Sequence, residues 1–313
     1  MPDWTIIVTD GLHDNGLKLL RAAAQVDYRA HISPDELFDV IDNYDAMIVR
    51  SGTQVTAELI TKARNLRVIG RAGVGLDNID LAAASANEIT VVNAPMSTTT
   101  AVAEHTLALL LALARSIPQA DASMKSGQWL KGKLDGVEIN GKVLGIIGFG
   151  NIGSEVAQRA GLLGMHVIVH DPEAPSDEIR EKGALPVSLP DLYSQADFIS
   201  LHVPLTMETR GMIDGQAFGH MKRGVRLIST ARGGVINETA LVGALESGQI
   251  AGAALDVFAE EPPGMTALVT HPNVIATPHI GAQTSESQER AAVDIAQEVL
   301  SALQSQPLRW KVV

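Results

Sequence analysis

The sequence contains no cysteine in its 313 residues. Disulfide bonds, a thiolate nucleophile and a zinc–thiolate centre are therefore excluded. The spacing of the histidines, aspartates and glutamates matches no metal-binding motif, so we expect no metal site. A reducing compartment is compatible with this composition.

Positive charge is also scarce, because 24 Lys and Arg oppose 36 Asp and Glu and the net charge is -12. Nucleic acids and anionic membranes select basic surfaces, so neither is expected as a partner. A small anionic substrate, which needs only a few local arginines, stays compatible.

Long apolar runs are missing as well. The most membrane-like segment, residues 106–114, is about half of the ~20 residues that a spanning helix requires. The first residues carry no basic segment ahead of their apolar run, which argues against a signal peptide. We therefore expect a cytoplasmic protein.

A glycine-rich turn between two apolar runs is the most informative feature that is present. Gly148, Gly150 and Gly153 follow a predicted strand, and the next apolar run ends at Asp171. In dinucleotide-binding proteins the first glycine permits a tight turn, the second lets the backbone approach the pyrophosphate, and the third allows close helix packing. A carboxylate at the position of Asp171 can bind the adenosine ribose and repels a 2′-phosphate. The pattern predicts that the cofactor is NAD rather than NADP.

Segments on both sides of this turn alternate between strand and helix patterns. Before it, strands are predicted over residues 5–8, 46–49, 66–69 and 90–92, and Ser33 and Asp80 are expected to cap helices. A long helix is predicted over residues 100–125. After the turn, strands are predicted over residues 197–202, 225–230, 251–257 and 274–277.

This alternation predicts an α/β protein with two doubly wound parallel-sheet domains. A last helix, predicted over residues 285–304, follows the final strand. We expect it to return to the first domain. Residues 1–97 and 283–313 would then form a substrate domain, and residues 98–282 an inserted NAD-binding domain.

Three polar residues directly follow predicted strands, where ligands of doubly wound sheets gather. They are Arg232, Glu261 and His279. An imidazole can move the proton of a hydroxyl group, a carboxylate can fix its tautomer, and an arginine can bind a substrate carboxylate with two parallel hydrogen bonds. Each residue alone is compatible with an ordinary solvated position, but together they favour hydride transfer between NAD and a hydroxy acid.

Five ordered segments resemble the D-2-hydroxyacid dehydrogenase family: residues 70–80, 93–95, 231–234, 256–262 and 278–282. The resemblance extends from about residue 5 to residue 300. It implies a Rossmann NAD-binding domain inserted into a flavodoxin-like substrate domain.

The resemblance also implies roles for individual residues. His279 would be the acid/base, Glu261 would orient it and Arg232 would bind substrate. Cofactor contacts would come from Gly148, Gly150, Asn151, Ile152, Gly153, Asp171, Thr230, Ala231, Asp256, His279 and Gly281. Substrate contacts would come from Arg50, Arg71, Val74, Gly75, Arg232 and His279.

Within the family, residues 49–53, 114–120 and 123–129 are most similar to the branch that oxidises 3-phospho-D-glycerate, the entry to serine synthesis. Arg50 and Arg71 would bind the phosphate. Many members of that branch carry a C-terminal regulatory domain, and since this sequence stops soon after His279, feedback by serine is not expected. Reduction of glyoxylate or hydroxypyruvate is the alternative, and an NAD-sensing corepressor is a remote one.

The family suggests a homodimer or a larger homo-oligomer. Trp129 is expected in a subunit interface or in the core, and Lys131 or Lys133 is expected near the site of a neighbouring subunit. The other histidines are interpreted as structural. His105 is expected on the surface of its helix, and a position facing the domain interface is the alternative.

Overall fold

The computed structural model describes residues 4–313. Within them the chain forms two compact units. The first contains the chain up to Thr99 together with Ala282–Val313, and the second is the inserted segment Thr100–Gly281.

The strands of the first unit are β1 (Thr5–Val8), β2 (Gln25–Tyr28), β3 (Ala46–Val49), β4 (Val68–Arg71) and β5 (Thr90–Asn93). Those of the second are β6 (Val143–Ile147), β7 (His166–His170), β8 (Leu185–Pro186), β9 (Phe198–Leu201), β10 (Val225–Ser229), β11 (Ile250–Leu255) and β12 (Val274–Ala276).

The helices are α1 (Asp14–Ala23), α2 (Pro34–Val40), α3 (Ala57–Lys62), α4 (Leu81–Ala86), α5 (Thr99–Ala114), α6 (Ile117–Lys125), α7 (Asn151–Leu162), α8 (Ser176–Glu181), α9 (Leu189–Gln195), α10 (Gly215–His220), α11 (Glu238–Glu246) and α12 (Ser285–Leu303). Two 3₁₀ turns cover Ile41–Asn43 and Lys131–Lys133.

The first sheet is parallel and has the order β2-β1-β3-β4-β5. This is the flavodoxin-like order, which reverses between β1 and β3. Successive residues of β1 point to opposite faces, so Ile6 and Val8 enter one core cluster and Ile7 enters the other. Both faces of the sheet are therefore covered.

The C-terminal helix α12 belongs to this first unit. It packs along α1, where a Cβ on Gly16 would lie 2.5 Å from the carbonyl oxygen of Ala292. Further along the helix, Val299 lies so close to Gly70 of β4 that a side chain there would collide with it. The last residues then form an antiparallel bridge with β5.

The second sheet is also parallel and has the order β12-β11-β10-β9-β6-β7-β8. Counted from β6, this is the 3-2-1-4-5-6 order of dinucleotide-binding sheets with one strand added. The order reverses between β6 and β9. Two doubly wound parallel sheets confirm the predicted fold class, and the two reversals are the expected ligand positions.

The helix α5 covers one face of the second sheet. Leu107 and Leu110 pack in the same cluster as Leu144 and Ile146 of β6, while Ile147 packs in the cluster on the other face. Since α5 is buried along much of its length, it is a rigid support for the strand ends that it contacts.

The sequence-based prediction of one helix over residues 100–125 is wrong. The chain breaks after Ala114, because Ser116 adopts a left-handed conformation with φ 51° and Pro118 lies in the first turn of α6. The strand predicted over residues 66–69 begins two residues later, at Val68. The expected caps at Ser33 and Asp80 are confirmed.

Within residues 4–313, no single helix is long and apolar enough to cross a membrane. The pair α5 and α6 meets the length and composition requirement together, but it is bent by 66°.

Candidate active site

The glycine turn after β6 has a different spatial requirement at each position. Gly148 adopts φ 94°, and a Cβ there would lie 2.6 Å from the carbonyl oxygen of His202. A Cβ on Gly153 would collide with the carbonyl oxygen of Gly148, so helix and turn approach as only glycine permits. The space beside Gly150 is open. Gly148 therefore fits the role of the turn residue, Gly153 that of the packing residue, and Gly150 that of the position where a phosphate can approach.

The helix α7 begins at Asn151 directly after Gly150. The backbone N–H groups of its first turn, which include those of Asn151 and Ile152, lie next to the open side of Gly150. A helix of this length offers a favourable site for an anion at that end.

Asp171 follows β7, next to the glycine turn. One carboxylate oxygen accepts a hydrogen bond from the N–H of Phe149 at 2.7 Å, and the other accepts from the N–H of Glu173 at 2.9 Å. A pocket of about 320 Å³ opens beside it and is also lined by Arg180 and Ser188. The fixed carboxylate and its pocket fit the adenosine end of a dinucleotide.

His202 lies at the same reversal of strand order and was not singled out from the sequence. Its Nε2 atom lies 2.9 Å from the hydroxyl of Ser200. Within residues 4–313, its buried Nδ1 atom has no hydrogen-bond partner. Burial lowers the pKa of His202 to about 4, so the imidazole behind the glycine turn is neutral near pH 7.

His279 and Glu261 form a direct pair at the carboxyl end of the sheet. The Nδ1 atom of His279 lies 2.7 Å from Glu261 Oε2, and Glu261 Oε1 accepts from the N–H of Phe258 at 3.0 Å. Because an ionised carboxylate only accepts, Nδ1 carries the proton and Nε2 is the atom that can exchange one with a ligand. The side chain of His279 is 52% exposed.

Arg232 follows β10 in a loop that packs on the same turn. A side chain on Gly233 would collide with the carbonyl oxygen of Phe258, the residue whose N–H holds Glu261. Arg232 is partly buried, and its Nη1 donates to the carbonyl oxygen of Ala231 at 2.8 Å. The structure thus brings the loops of the three predicted residues Arg232, Glu261 and His279 together.

Asp256, at the end of β11, is 1% exposed. Its carboxylate accepts from the Thr277 hydroxyl at 2.5 Å and from the N–H groups of Ile280 and Gly281 at 2.9 and 2.8 Å. Burial raises the pKa of Asp256, but hydrogen bonds from His105, Thr277 and the two N–H groups outweigh it, and the net shift is downward. Asp256 therefore fixes the chain on both sides of His279.

The interpretation of His105 as a residue on the surface of its helix is wrong. Its side chain is 19% exposed, and Nε2 lies 3.3 Å from Asp256 Oδ1 and 3.2 Å from Thr277 Oγ1. The next residue, Thr106, is hydrogen-bonded to the hydroxyl of Thr230 at 2.8 Å. No sequence signal paired His105 with residues so distant along the chain; only the packing of α5 against the strand ends does so.

In the first unit, Arg50 directly follows β3, beside the reversal of strand order. Asp10 accepts the N–H of Arg50 at 2.5 Å and that of Thr53 at 3.2 Å, and Asn78 donates to the carbonyl oxygen of Arg50 at 2.8 Å. Burial lowers the pKa of the Arg50 guanidinium, and Asp10 opposes that shift. The loop that carries Arg50 is therefore held by side chains on both sides.

Arg71 is the last residue of β4, and a sharp turn follows it. Gly73 adopts φ 150°, and the side chain of Arg71 folds over it. Asn93 donates to the carbonyl oxygen of Val74 at 2.9 Å, which holds Val74 and Gly75 at the same strand end.

Trp129 is 75% exposed, so within this chain it is not a core residue. Lys131 and Lys133 lie in the following 3₁₀ turn and are exposed.

The comparisons with known proteins concern the family and the fold. The family model described as "D-isomer specific 2-hydroxyacid dehydrogenase, NAD binding domain" matches residues 107–281. The chloroplastic D-3-phosphoglycerate dehydrogenase 2 of Arabidopsis thaliana is 50% identical over 308 residues, 98% of this chain and 49% of that relative. The chain spans about half the length of the curated relatives it matches.

Solved structures match over almost the whole chain. The TT0316 protein from Thermus thermophilus is 35% identical with a TM-score of 0.90, and the match covers 99% of this chain and 100% of that one. A glyoxylate reductase from Paecilomyes thermophila is 30% identical with a TM-score of 0.91, covering 100% and 99%. With residues 107–281 forming its NAD binding domain, the chain belongs to the D-isomer specific 2-hydroxyacid dehydrogenase family.

Proposed function

We propose that the protein oxidises 3-phospho-D-glycerate to 3-phosphooxypyruvate with NAD, the first step of serine biosynthesis. The observation that carries this proposal is the His279–Glu261 pair at 2.7 Å, at the carboxyl end of an NAD-binding sheet. The identity of 50% to a relative named D-3-phosphoglycerate dehydrogenase supports the choice of substrate.

In the proposed reaction the alcohol group of the substrate loses a hydride to one acceptor and a proton to another. Bound NAD would supply the acceptor for the hydride that leaves C2 of the substrate with its electron pair. Nε2 of His279 takes the proton of the hydroxyl group, and the carbon–oxygen bond becomes a carbonyl. Glu261 keeps Nδ1 protonated and stabilises the imidazolium that forms.

Arg232 binds the substrate carboxylate in this proposal. A guanidinium can make two parallel hydrogen bonds to a carboxylate and so orients the neighbouring carbon. Gly233 supports the assignment, because the close approach of its loop to Phe258 fixes Arg232 relative to the Glu261 turn.

The residues of the glycine turn fit the proposed cofactor. The N–H groups of Asn151 and Ile152 would hold the pyrophosphate beside Gly150, and Asp171 would bind the adenosine ribose. Thr230, Ala231, Asp256 and Gly281 are proposed to lie at the nicotinamide end, together with His279.

The first unit is proposed to contribute substrate binding. Arg50 and Arg71 would bind the phosphate group, and the N–H groups of Val74 and Gly75 would bind the substrate carboxylate. The hydrogen bonds of Asp10 and Asn78 support this role for Arg50, since they hold the backbone of its loop in place.

The test follows absorbance at 340 nm with purified protein. Phosphoglycerate with NAD should be turned over, and phosphooxypyruvate with NADH should be reduced. Activity with glyoxylate or hydroxypyruvate alone would replace this proposal by that of a reductase, which the similarity to a glyoxylate reductase favours as the second candidate. NADH binding without any turnover would favour the cofactor-sensing corepressor instead.

The variant Arg50→Gln tests the phosphate assignment separately. The KM for phosphoglycerate should rise about tenfold or more, because a charge-assisted contact is lost, while NADH binding stays unchanged. Arg64→Gln, an exposed arginine of the same unit, is the matched control. An equal KM in the Arg50 and Arg64 variants would contradict the assignment.

A homodimer is also proposed. Ile117, Met124 and Trp129 lie close together along the chain and are 54%, 57% and 75% exposed, which supports an apolar contact surface in this segment. Lys131 or Lys133 would then lie near a neighbouring subunit. Light scattering should give a dimer mass that Trp129→Ser reduces, whereas Leu162→Ser, at an 89% exposed position, should not change it.

A further inference from the structure

A second histidine–carboxylate pair lies behind the proposed acid/base. Nε2 of His105, on α5, lies 3.3 Å from Asp256 Oδ1 and 3.2 Å from Thr277 Oγ1. The carboxylate is 2% exposed, and the imidazole is 19% exposed. This pair belongs to none of the roles assigned above to His279, Glu261 or Arg232.

The partners of Asp256 bracket His279 along the chain. Thr277 precedes it by two residues, and Ile280 and Gly281 follow it. His279 itself adopts φ 52°, a left-handed conformation that is unfavourable for a residue with a side chain. Such a conformation persists when the surrounding contacts determine it, and the contacts of Asp256 are the ones on either side.

A buried carboxylate keeps its charge and orientation only while donors surround it. Three of the donors to Asp256 belong to the turn itself and would move with it. His105 is the donor from a different element, and α5 is anchored in the core by Leu107 and Leu110. His105 therefore links the turn to the rigid part of the unit.

The neighbouring residue makes an equivalent link. Thr106 is fully buried and bonds Thr230 at the end of β10, 2.8 Å between the hydroxyl oxygens. Two consecutive residues of α5 thus hold the ends of two adjacent strands, β10 and β11, which are both followed by residues proposed to contact the cofactor.

We propose that His105 is a positioning residue: it holds the carboxylate of Asp256 against the turn that carries His279 and so keeps this imidazole in its reactive place. The inference rests on the proposed function, because it takes His279 as the acid/base. His105 itself exchanges no proton with substrate.

The test compares four variants of the protein. His105→Phe keeps the ring and removes the donor, His105→Gln restores a donor at the position of Nε2, and His166→Phe is the matched control at an exposed histidine of the same unit. His105→Ala repeats the loss of the donor without a bulky ring, in case the phenylalanine variant does not fold.

Hydrogen–deuterium exchange of residues 277–284, in protein without substrate or NAD, is the first measurement. Loss of a hydrogen bond to a buried charge should raise exchange at Ile280 and Gly281 about tenfold in His105→Phe and His105→Ala. His105→Gln should return it to within about twofold of the original rate. Unchanged exchange in both donor-free variants would overturn the proposal.

Kinetics supply the second measurement. With phosphoglycerate and NAD, kcat should fall about tenfold in His105→Phe while both KM values change less than about threefold, and His105→Gln should recover most of kcat. Equal kcat in the original protein and both donor-free variants would overturn the positioning role. If the original protein shows no turnover at all, the proposed function fails, and the exchange rates still decide whether His105 holds the turn.

Discussion

Two histidine–carboxylate pairs lie in the NAD-binding unit, and exposure separates them. In His279–Glu261 the side chains are 52% and 36% exposed. In His105–Asp256 they are 19% and 2% exposed. A half-exposed imidazole can exchange a proton with a bound molecule, whereas a buried carboxylate with several donors is held in place. The same two residue types therefore support a chemical role in one pair and a mechanical role in the other.

His202 extends this comparison to an imidazole without a carboxylate. Burial lowers its pKa to about 4, and its hydrogen-bond partner is the hydroxyl of Ser200. The protonated form is disfavoured there because, within residues 4–313, no negative charge compensates for the loss of water. Three histidines at the same end of one sheet thus have three environments, and each can be tested by substitution.

Removal of the exposed imidazole should have the largest effect. In His279→Ala, kcat for phosphoglycerate oxidation should fall about 10⁴-fold, because the group proposed to accept the hydroxyl proton is lost. NADH binding, followed by fluorescence, should change little. His166→Ala is the control at an exposed histidine. Undiminished turnover would remove His279 from the acid/base role.

Substitution of Glu261, the carboxylate of the exposed pair, should have the second-largest effect on kcat. In Glu261→Gln, the amide oxygen would accept the hydrogen bond from the N–H of Phe258, as Oε1 of Glu261 does now. The amide NH₂ would then face Nδ1 of His279. Nδ1 would then accept, Nε2 would carry the proton, and the imidazole could not act as a base. We expect kcat for oxidation to fall about 10³-fold with stability nearly unchanged.

Glu261→Asp is the informative comparison for that variant, since it keeps the charge and shortens the reach. It should retain more activity than Glu261→Gln if the tautomer of His279 decides the rate. The reverse order of the two variants would mean that side-chain length, rather than the tautomer, is what matters at this position.

Many strands and helices, and the three residues of the proposed acid/base and substrate site, could be predicted from the sequence, because they depend on local sequence patterns. Strand β1 and the start of α12 were predicted at the residues where they occur, since a short apolar run and a helical pattern are local signals. Arg232, Glu261 and His279 were proposed because polar residues after parallel strands meet at one edge of a sheet.

The buried pair could not be predicted, because it depends on packing. His105 lies in an apolar helical segment, and its face relative to Asp256 is set by how α5 lies on the second sheet. The break of the long helix at Ser116 was missed for a different reason: a left-handed serine has no strong sequence signal, and the signal that was present, Pro118 in the first turn of α6, was not used. The short strand β8, only two residues long, offers too little periodicity to detect.

The buried carboxylate should control stability more than proton transfer. In Asp256→Asn the NH₂ group must face either the Thr277 hydroxyl and Ile280 N–H or the Gly281 N–H, and one set of donors loses its acceptor. We expect the free energy of unfolding to fall by about 2 to 3 kcal/mol, measured by urea denaturation. Asp177→Asn, at a 93% exposed side chain, should change it by much less. Equal stability of both variants would contradict the proposed clamp.

The buried imidazole of His202, which has no carboxylate partner within residues 4–313, should have a smaller and pH-dependent effect on stability. His202 has a pKa of about 4 in the folded protein and an ordinary value of 6.5. Between these values the unfolded chain binds a proton that the folded protein does not, so stability falls as pH falls. The contribution amounts to about 2 kcal/mol between pH 7 and pH 5 and is absent in His202→Gln, which cannot titrate but retains an amide for Ser200. Urea denaturation of both proteins at the two pH values should therefore show the steeper decline in the original protein. Parallel declines would mean that His202 takes up a proton in the folded protein as readily as in the unfolded chain, and burial would then not lower its pKa.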